Sequence, residues 1–160
     1  MNIKLLVVGK IKEKFYRDAI SEYTKRLSKY CNLSIIEVND EKTEENLSEY
    51  EITLIKDKEA ERLMKHISDR DFVIALAIEG KKLDSVSFSK YIDNLAIQGN
   101  SNIDFVIGGS LGLSDNILTR SNYKLSFSDM TFPHQLMRVI LLEQIYRAFR
   151  ISKNEPYHKW

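Results

Sequence analysis

Two loops hold the residues whose types and spacing could do chemistry. Gly108-Gly109-Ser110-Leu111-Gly112 follows a short β-branched and aromatic run, Ile103 to Ile107. Phe127-Ser128-Asp129-Met130-Thr131-Phe132-Pro133-His134-Gln135 closes a second run, Tyr123 to Phe127, and leads into a long apolar segment. Glycines let a ligand lie directly on the backbone, while Ser128, Asp129 and Thr131 add hydroxyls and a carboxylate just ahead of a helix start. Pro133 suits the first turn of that helix, where its missing N–H costs nothing. Alone, the second loop could be no more than a capped helix start. Paired with the glycine loop, it reads as half of a cradle for a small polar molecule. In parallel α/β sheets such pockets lie beyond the carboxyl ends of the strands, so the two loops are expected to share one.

Other chemistries fit less well. The glycine loop matches G-x-S-x-G, the nucleophile elbow of α/β-hydrolases. An elbow needs a helix directly after its serine, and here Gly112 and Ser114-Asp115 intervene. Ser110 is therefore given no nucleophilic role. No G-x-G-x-x-G opens the first strand-to-helix turn and no Gly-Lys-Ser/Thr occurs, so dinucleotide and P-loop sites are not expected. His66, His134 and His158 are too far apart for any two to share a helical turn, so no metal site is expected. Cys31 is the one cysteine, which excludes an internal disulfide.

The closing Glu155-Pro156-Tyr157-His158-Lys159-Trp160 admits two readings. It is either a frayed terminus or an RNA-binding tail, in which aromatics stack on unpaired bases and Lys meets phosphate. Arg138, Arg147, Arg150 and Lys153 precede it and could extend that surface.

The elements that must position these residues alternate. Strands are expected over 2–8, 33–38, 72–78, 103–107 and 123–127. Helices are expected over 12–30, 47–67, 114–119 and 134–151, with a fifth capped by Ser85 or Ser87 and running to Ile97. Phe72 to Ile78 is continuously apolar and closes at Glu79-Gly80, the mark of a strand buried on both faces in a parallel sheet. The alternation predicts an α/β fold, a mostly parallel sheet flanked by helices, and no linker or repeat divides it. A single domain over 1–160 is expected. The last helix is apolar around most of its circumference and so must be buried on more than one side. One side would be the sheet and the other a second subunit, which points to a homodimer; a central core helix in a monomer is the alternative.

A net charge of +1 does not announce a nucleic-acid binder. The basic first thirty residues and the acidic stretch 37–71 read as solvated helix faces. No window approaches the roughly 20 apolar residues of a membrane span, and the first apolar run is too short for a secretory signal. A cytoplasmic protein is expected.

Taken together, several stretches resemble the RlmH family, small SPOUT-class methyltransferases that act on large-subunit ribosomal RNA. They are Val8-Gly9-Lys10, Gly108-Gly109, Leu125 to Gln135, Glu143-Gln144-Ile145-Tyr146-Arg147-Ala148 and Pro156-Tyr157-His158-Lys159. The resemblance spans essentially the whole chain. It implies a SPOUT-type α/β fold with a deep trefoil knot in the C-terminal half, a feature too rare for pattern reasoning to reach. It also implies a homodimer that uses S-adenosyl-L-methionine to methylate N3 of a pseudouridine of 23S rRNA in the assembled ribosome. The cofactor positions it implies are Leu76, Gly108, Phe127, Ser128, Asp129, Met130, Thr131 and Phe132. Catalytic positions fall on His134, Arg147, Tyr157 and His158, and RNA-binding positions on Arg138, Tyr157, His158 and Lys159. Lys159 stands where some relatives have Arg, which gives up a planar bidentate contact. The rival reading is a sensing module with the same pocket and no transfer activity.

Overall fold

Side chains in a strand alternate between faces, and here both sets are apolar. The computed structural model describes residues 1–160 and contains five strands. They are β1 (Asn2–Val8), β2 (Asn32–Val38), β3 (Phe72–Lys82), β4 (Asn102–Ile107) and β5 (Tyr123–Ser126). Every neighbouring pair is parallel, in the order β2-β1-β4-β3-β5. Ile3, Leu5 and Val7 of β1 and Ile103, Phe105 and Ile107 of β4 join the larger core. Leu6, Val8 and Val106 join the smaller one on the opposite face.

Five helices cover the two faces. α1 (Lys14–Leu27), α3 (Ser85–Ile97) and α5 (His134–Ser152) supply Leu27, Phe88, Ile92, Leu95, Leu141, Leu142, Ile145 and Ala148 to the larger core. α2 (Glu49–Met64) and α4 (Asp115–Arg120) supply Ala60, Leu63 and Ile117 to the smaller one. α2 begins in a capping box, in which Ser48 and Glu51 satisfy each other's backbone N–H groups. α3 is capped by Asp84, whose Oδ1 accepts from Ser87 N at 2.7 Å, rather than by Ser85 or Ser87. No helix is long and apolar enough to cross a membrane.

β3 is the element that departs most from its sequence pattern. It does not end at Ile78 but runs on to Lys82, with a break in register: Leu76 and Lys81 both face Leu125 of β5. The extra residues bulge out over the carboxyl end of the sheet. Gly80 permits the return, because a Cβ there would lie 2.7 Å from the carbonyl carbon of Lys124. A polar Glu-Gly pair in sequence marks the bulge rather than the strand's end.

At the opposite, amino end of the sheet sits a buried acidic pair. Asp104 of β4 is fully buried, and neither carboxylate oxygen has a hydrogen-bond donor. Lys4 Nζ is 3.7 Å from Asp104 Oδ1 and 2.9 Å from Asp71 Oδ2. Burial, then a hydrogen bond to Asp71, pushes the Asp104 pKa up to about 8. Burial opposes ionisation of Asp71 too, but the hydrogen bonds from Asp104 and the Ser68 N–H, with Lys4, hold it below its ordinary value. Asp104 is thus the protonated member of the pair. The folded chain keeps this proton up to about pH 8, whereas an unfolded aspartate releases it near 3.8. Folding therefore takes up a proton between these values, and the stability from this group falls as pH rises through them. Asp104→Asn, which keeps a donor and removes the titration, is expected to flatten the loss of stability between pH 5 and 8 in urea denaturation. A slope equal to that of the unaltered chain would show that Asp104 is ionised in the folded state.

Candidate active site

The carboxyl ends of β3, β4 and β5 open into one cavity of about 820 Å³, within the range of small-molecule sites. Its wall includes Leu76 to Glu79 of β3, the glycine loop Gly108 to Leu113 and most of the loop from Phe127 to Pro133. The two loops singled out by sequence do share a pocket. Leu76, Gly108, Phe127, Ser128, Met130, Thr131 and Phe132 all line it. Asp129 does not: its carboxylate turns outward, 80% exposed, and pairs with Lys82 at 2.6 Å. That pair ties the loop to the bulged end of β3.

Local hydrogen bonding explains the loop's shape. Ser126 Oγ donates to Ser128 O at 3.1 Å, and Ser128 Oγ accepts from Met130 N at 3.0 Å. The backbone N–H groups of Ser128, Asp129, Thr131 and Phe132 donate to no other protein group. A loop with this many unused donors beside a half-apolar cavity suits a ligand rich in acceptors. Across the cavity, Gly108 leaves no room for a side chain: a Cβ would lie 2.7 Å from the carbonyl carbon of Gly112. The residues present therefore fit a small ligand rich in hydrogen-bond acceptors that lies close against the backbone.

His134 lines the same cavity at the first residue of α5, with Pro133 as the preceding cap rather than within the first turn. Burial first, then the positive charge of Arg138, lowers its pKa below the ordinary 6.5. It is a neutral imidazole at pH 7, able to accept a proton.

Arg138, expected on an RNA-binding surface, is instead one of the most deeply buried side chains, at 1% exposure. Its guanidinium pairs with Glu37 at 2.9 Å and donates to Val8 O and Gly9 O at 2.8 and 2.9 Å. An arginine one turn after His134 on a largely apolar helix is a core fastener here, and its charge is spent on the ends of β1 and β2.

The remaining expected residues form a second cluster. Arg147 lies on α5 about 20 Å along the axis from His134, at a rise of about 1.5 Å per residue. It grips Glu143 through Nε and Nη2 at 2.9 and 2.6 Å, and its guanidinium covers the Tyr157 ring at 4.6 Å. Tyr157 Oη donates to Glu143 at 3.2 Å and its ring meets Tyr146 edge-on at 5.0 Å. Arg150 holds Glu155 at 2.7 Å and Pro156 O at 2.8 Å. The tail is folded back on its own helix, not frayed. Within the tail only Pro156, Lys159 and Trp160 stay exposed. Glu143 was missed as a site residue by sequence reasoning, although its place four residues before Arg147 is the spacing of a helical ion pair.

This network sets the chemistry of each group. Arginine only donates, so His158 Nδ1, 3.1 Å from Arg147 Nη1, must accept and the neutral ring carries its proton on Nε2. Burial, then Glu143, pushes the Tyr157 pKa up to about 12, so it stays a phenol. The tail cluster therefore offers donors, and the one free base of the set is His134 in the cavity.

Comparison with known proteins agrees with this geometry. Residues 1–158 match the family model described as "Predicted SPOUT methyltransferase". The chain belongs to the SPOUT methyltransferase family. A "Ribosomal RNA large subunit methyltransferase H" of Clostridium botulinum (strain Langeland) is 64% identical over 159 residues, spanning 99% of this chain and all of that protein. The protein of the same name from Clostridium acetobutylicum is 61% identical over the same spans. Among solved structures, a probable methylase family protein from Haemophilus influenzae shares the fold, with a TM-score of 0.54 at 13% identity over 99% of this chain and 70% of that one. The five-stranded parallel sheet flanked by helices is thus the SPOUT fold, and the resemblance read from the motifs at 108–109, 125–135 and 156–159 is to the right family.

Two substitutions separate the fastener from the cradle. Gly108→Ala is expected to cost about 1–3 kcal/mol of stability by overpacking and to weaken nucleoside binding measured by calorimetry; unchanged binding would contradict the cradle. Arg138→Met leaves Glu37 and two carbonyls without their donor and is expected to cost roughly 3 kcal/mol. Loss of RNA affinity with unaltered stability would return Arg138 to the surface role.

Proposed function

We propose that this chain is an S-adenosyl-L-methionine-dependent methyltransferase that acts on N3 of a pseudouridine of 23S rRNA within the assembled ribosome. The single observation that carries the cofactor assignment is the cavity between the glycine loop and the 127–132 loop, walled by backbone donors and closed to any side chain at Gly108. The names of the 61–64% identical relatives supply the rRNA. A deep trefoil knot is the chain path we assign to the C-terminal half, in one domain. A cytoplasmic location follows from a ribosomal substrate.

The cofactor, when bound, supplies a methyl group already activated on a sulfonium. Leu76, Gly108, Phe127, Ser128, Met130, Thr131 and Phe132 would hold it, with Asp129 bracing their loop from outside through Lys82. The protein's share of the chemistry is alignment of the acceptor nitrogen and exclusion of water. Pseudouridine N3 carries a proton that must leave, and His134 is the base we assign to it. Arg147 and His158 present the guanidinium and Nε2–H, donors suited to base carbonyls and phosphate oxygens, with the Tyr157 phenol proton held on Glu143 and Lys159 beyond them.

In one chain Arg147 stands about 20 Å from His134 along the helix, which sets the tail cluster apart from the cavity. A second copy resolves this. Leu136, Val139 and Ile140 of α5 are only half-buried, and Met130 and Ile78 beside the cavity are 73% and 52% exposed. A homodimer packed on this apolar face would set the tail cluster of one protomer at the cavity of its partner. The modest net charge suits docking on a shaped ribosomal surface, with local phosphate contacts from Arg147 and Lys159.

Transfer of labelled methyl to ribosomes from cells lacking this protein tests the reading. Label on one pseudouridine of 23S rRNA is expected, with much less on naked rRNA. Cofactor binding without any transfer would favour a sensing module. Within the transfer assay, His134→Ala is expected to slow turnover by about a hundredfold or more with cofactor affinity retained. The acidic limb of the rate profile should lie below pH 6.5, because the His134 pKa is lowered; a limb above that value would rule out His134 as the group titrating.

A further inference from the structure

Lys56 of α2 lines the main cavity and also borders the small hollow beside it, together with Gly112, Leu113 and Ser114. No residue of the 127–132 loop shares that hollow, so Lys56 marks the glycine-loop end of the site. It is the only lysine or arginine on the cavity wall. Its neighbours on α2 are committed elsewhere. Arg62 pairs with Glu41 at 3.0 Å, Lys58 lies 3.9 Å from the same carboxylate, and Glu59 accepts from Glu41 N at 3.0 Å. The Lys56 ammonium itself makes no ion pair and no side-chain hydrogen bond. An unpaired ammonium on the cavity wall is free to meet an anionic group of a ligand.

We infer that Lys56 binds the carboxylate at the methionine end of the methyl donor, an inference that rests on the cofactor assignment above. The donor bears a sulfonium, an ammonium and one carboxylate, so its net charge is one positive. The cavity wall carries the carboxylates of Glu79 and Asp115 against Lys56, with His134 neutral, so its net charge is one negative. Within that balance Lys56 repels both cationic centres and attracts the carboxylate alone. This fixes the ligand's direction. The adenosine lies on the backbone donors of the 127–132 loop, and the amino-acid end lies toward Gly112 and α2. A charge-assisted bond from an ammonium also gives the site a means to prefer an intact amino-acid end over a bare thioether nucleoside.

The test is calorimetry of Lys56→Met with two ligands, S-adenosylhomocysteine and 5′-methylthioadenosine, the second lacking the amino-acid end. Affinity for S-adenosylhomocysteine is expected to fall about tenfold or more, with affinity for 5′-methylthioadenosine unchanged and most of the loss recovered in Lys56→Arg. Equal losses for both ligands, or none for either, would overturn the inference. Unchanged binding of both with a raised KM for ribosomes would overturn it in favour of an RNA phosphate as the partner of Lys56. If the unaltered chain binds neither ligand, the cofactor assignment itself fails and this inference goes with it.

Discussion

The buried guanidinium of Arg138 is the interaction on which the site's geometry depends. It joins three segments that the chain brings together from far apart: α5, the carboxyl end of β1 at Val8 and Gly9, and Glu37 near the end of β2. Carbonyls at a strand end have no further strand to accept from, and a guanidinium with five donors in a fixed fork can satisfy several at once. The same contact holds the first turn of α5 against the sheet, so His134 and the loop before it are placed by a fastener in the core. Its charge adds to the burial that lowers the His134 pKa. The position of the one free base thus follows from a single buried side chain, and its neutrality from burial first and that side chain's charge second.

Much of this was legible in the sequence. The continuous apolar run at Phe72, the β-branched runs at Ile3 and Ile103 and the small-residue loops after them predict a parallel sheet with a pocket at its carboxyl edge. The motifs at 125–135 and 156–159 carry the family resemblance. What escaped was set by contacts distant in sequence. Glu79 and Gly80 read as the end of a strand, because nothing local shows that β3 resumes pairing against Leu125 and Ser126. Arg138 reads as a surface charge, because arginine is seldom buried and its partners lie more than a hundred residues upstream. The tail reads as free or RNA-bound, while Tyr146, Glu143 and Arg150 dock it on its own helix.

The structure divides the expected functional residues into a cavity set and a tail set on one helix. The cavity set has backbone donors, an apolar wall and a neutral imidazole. The tail set has donors alone, because Arg147 uses the accepting nitrogen of His158 and Glu143 keeps Tyr157 protonated. The two kinds of chemistry are complementary: in the proposed function the first set would hold a nucleoside and take a proton, and the second would grip acceptor-rich RNA. A half-buried apolar face on the intervening helix supplies the physical means to unite them across two copies.

The claim that one working site takes its cavity and its tail from different copies is tested most directly by mixing two disabled variants. His134→Ala lacks the base, and Tyr157→Ala/His158→Ala lacks the tail donors. After subunit exchange, confirmed by mass, the mixed dimer would contain one site with both sets intact. The account predicts methyl transfer to ribosomes by the mixture well above that of either parent. A mixed dimer as inactive as its parents would contradict a shared site and confine each function to its own chain.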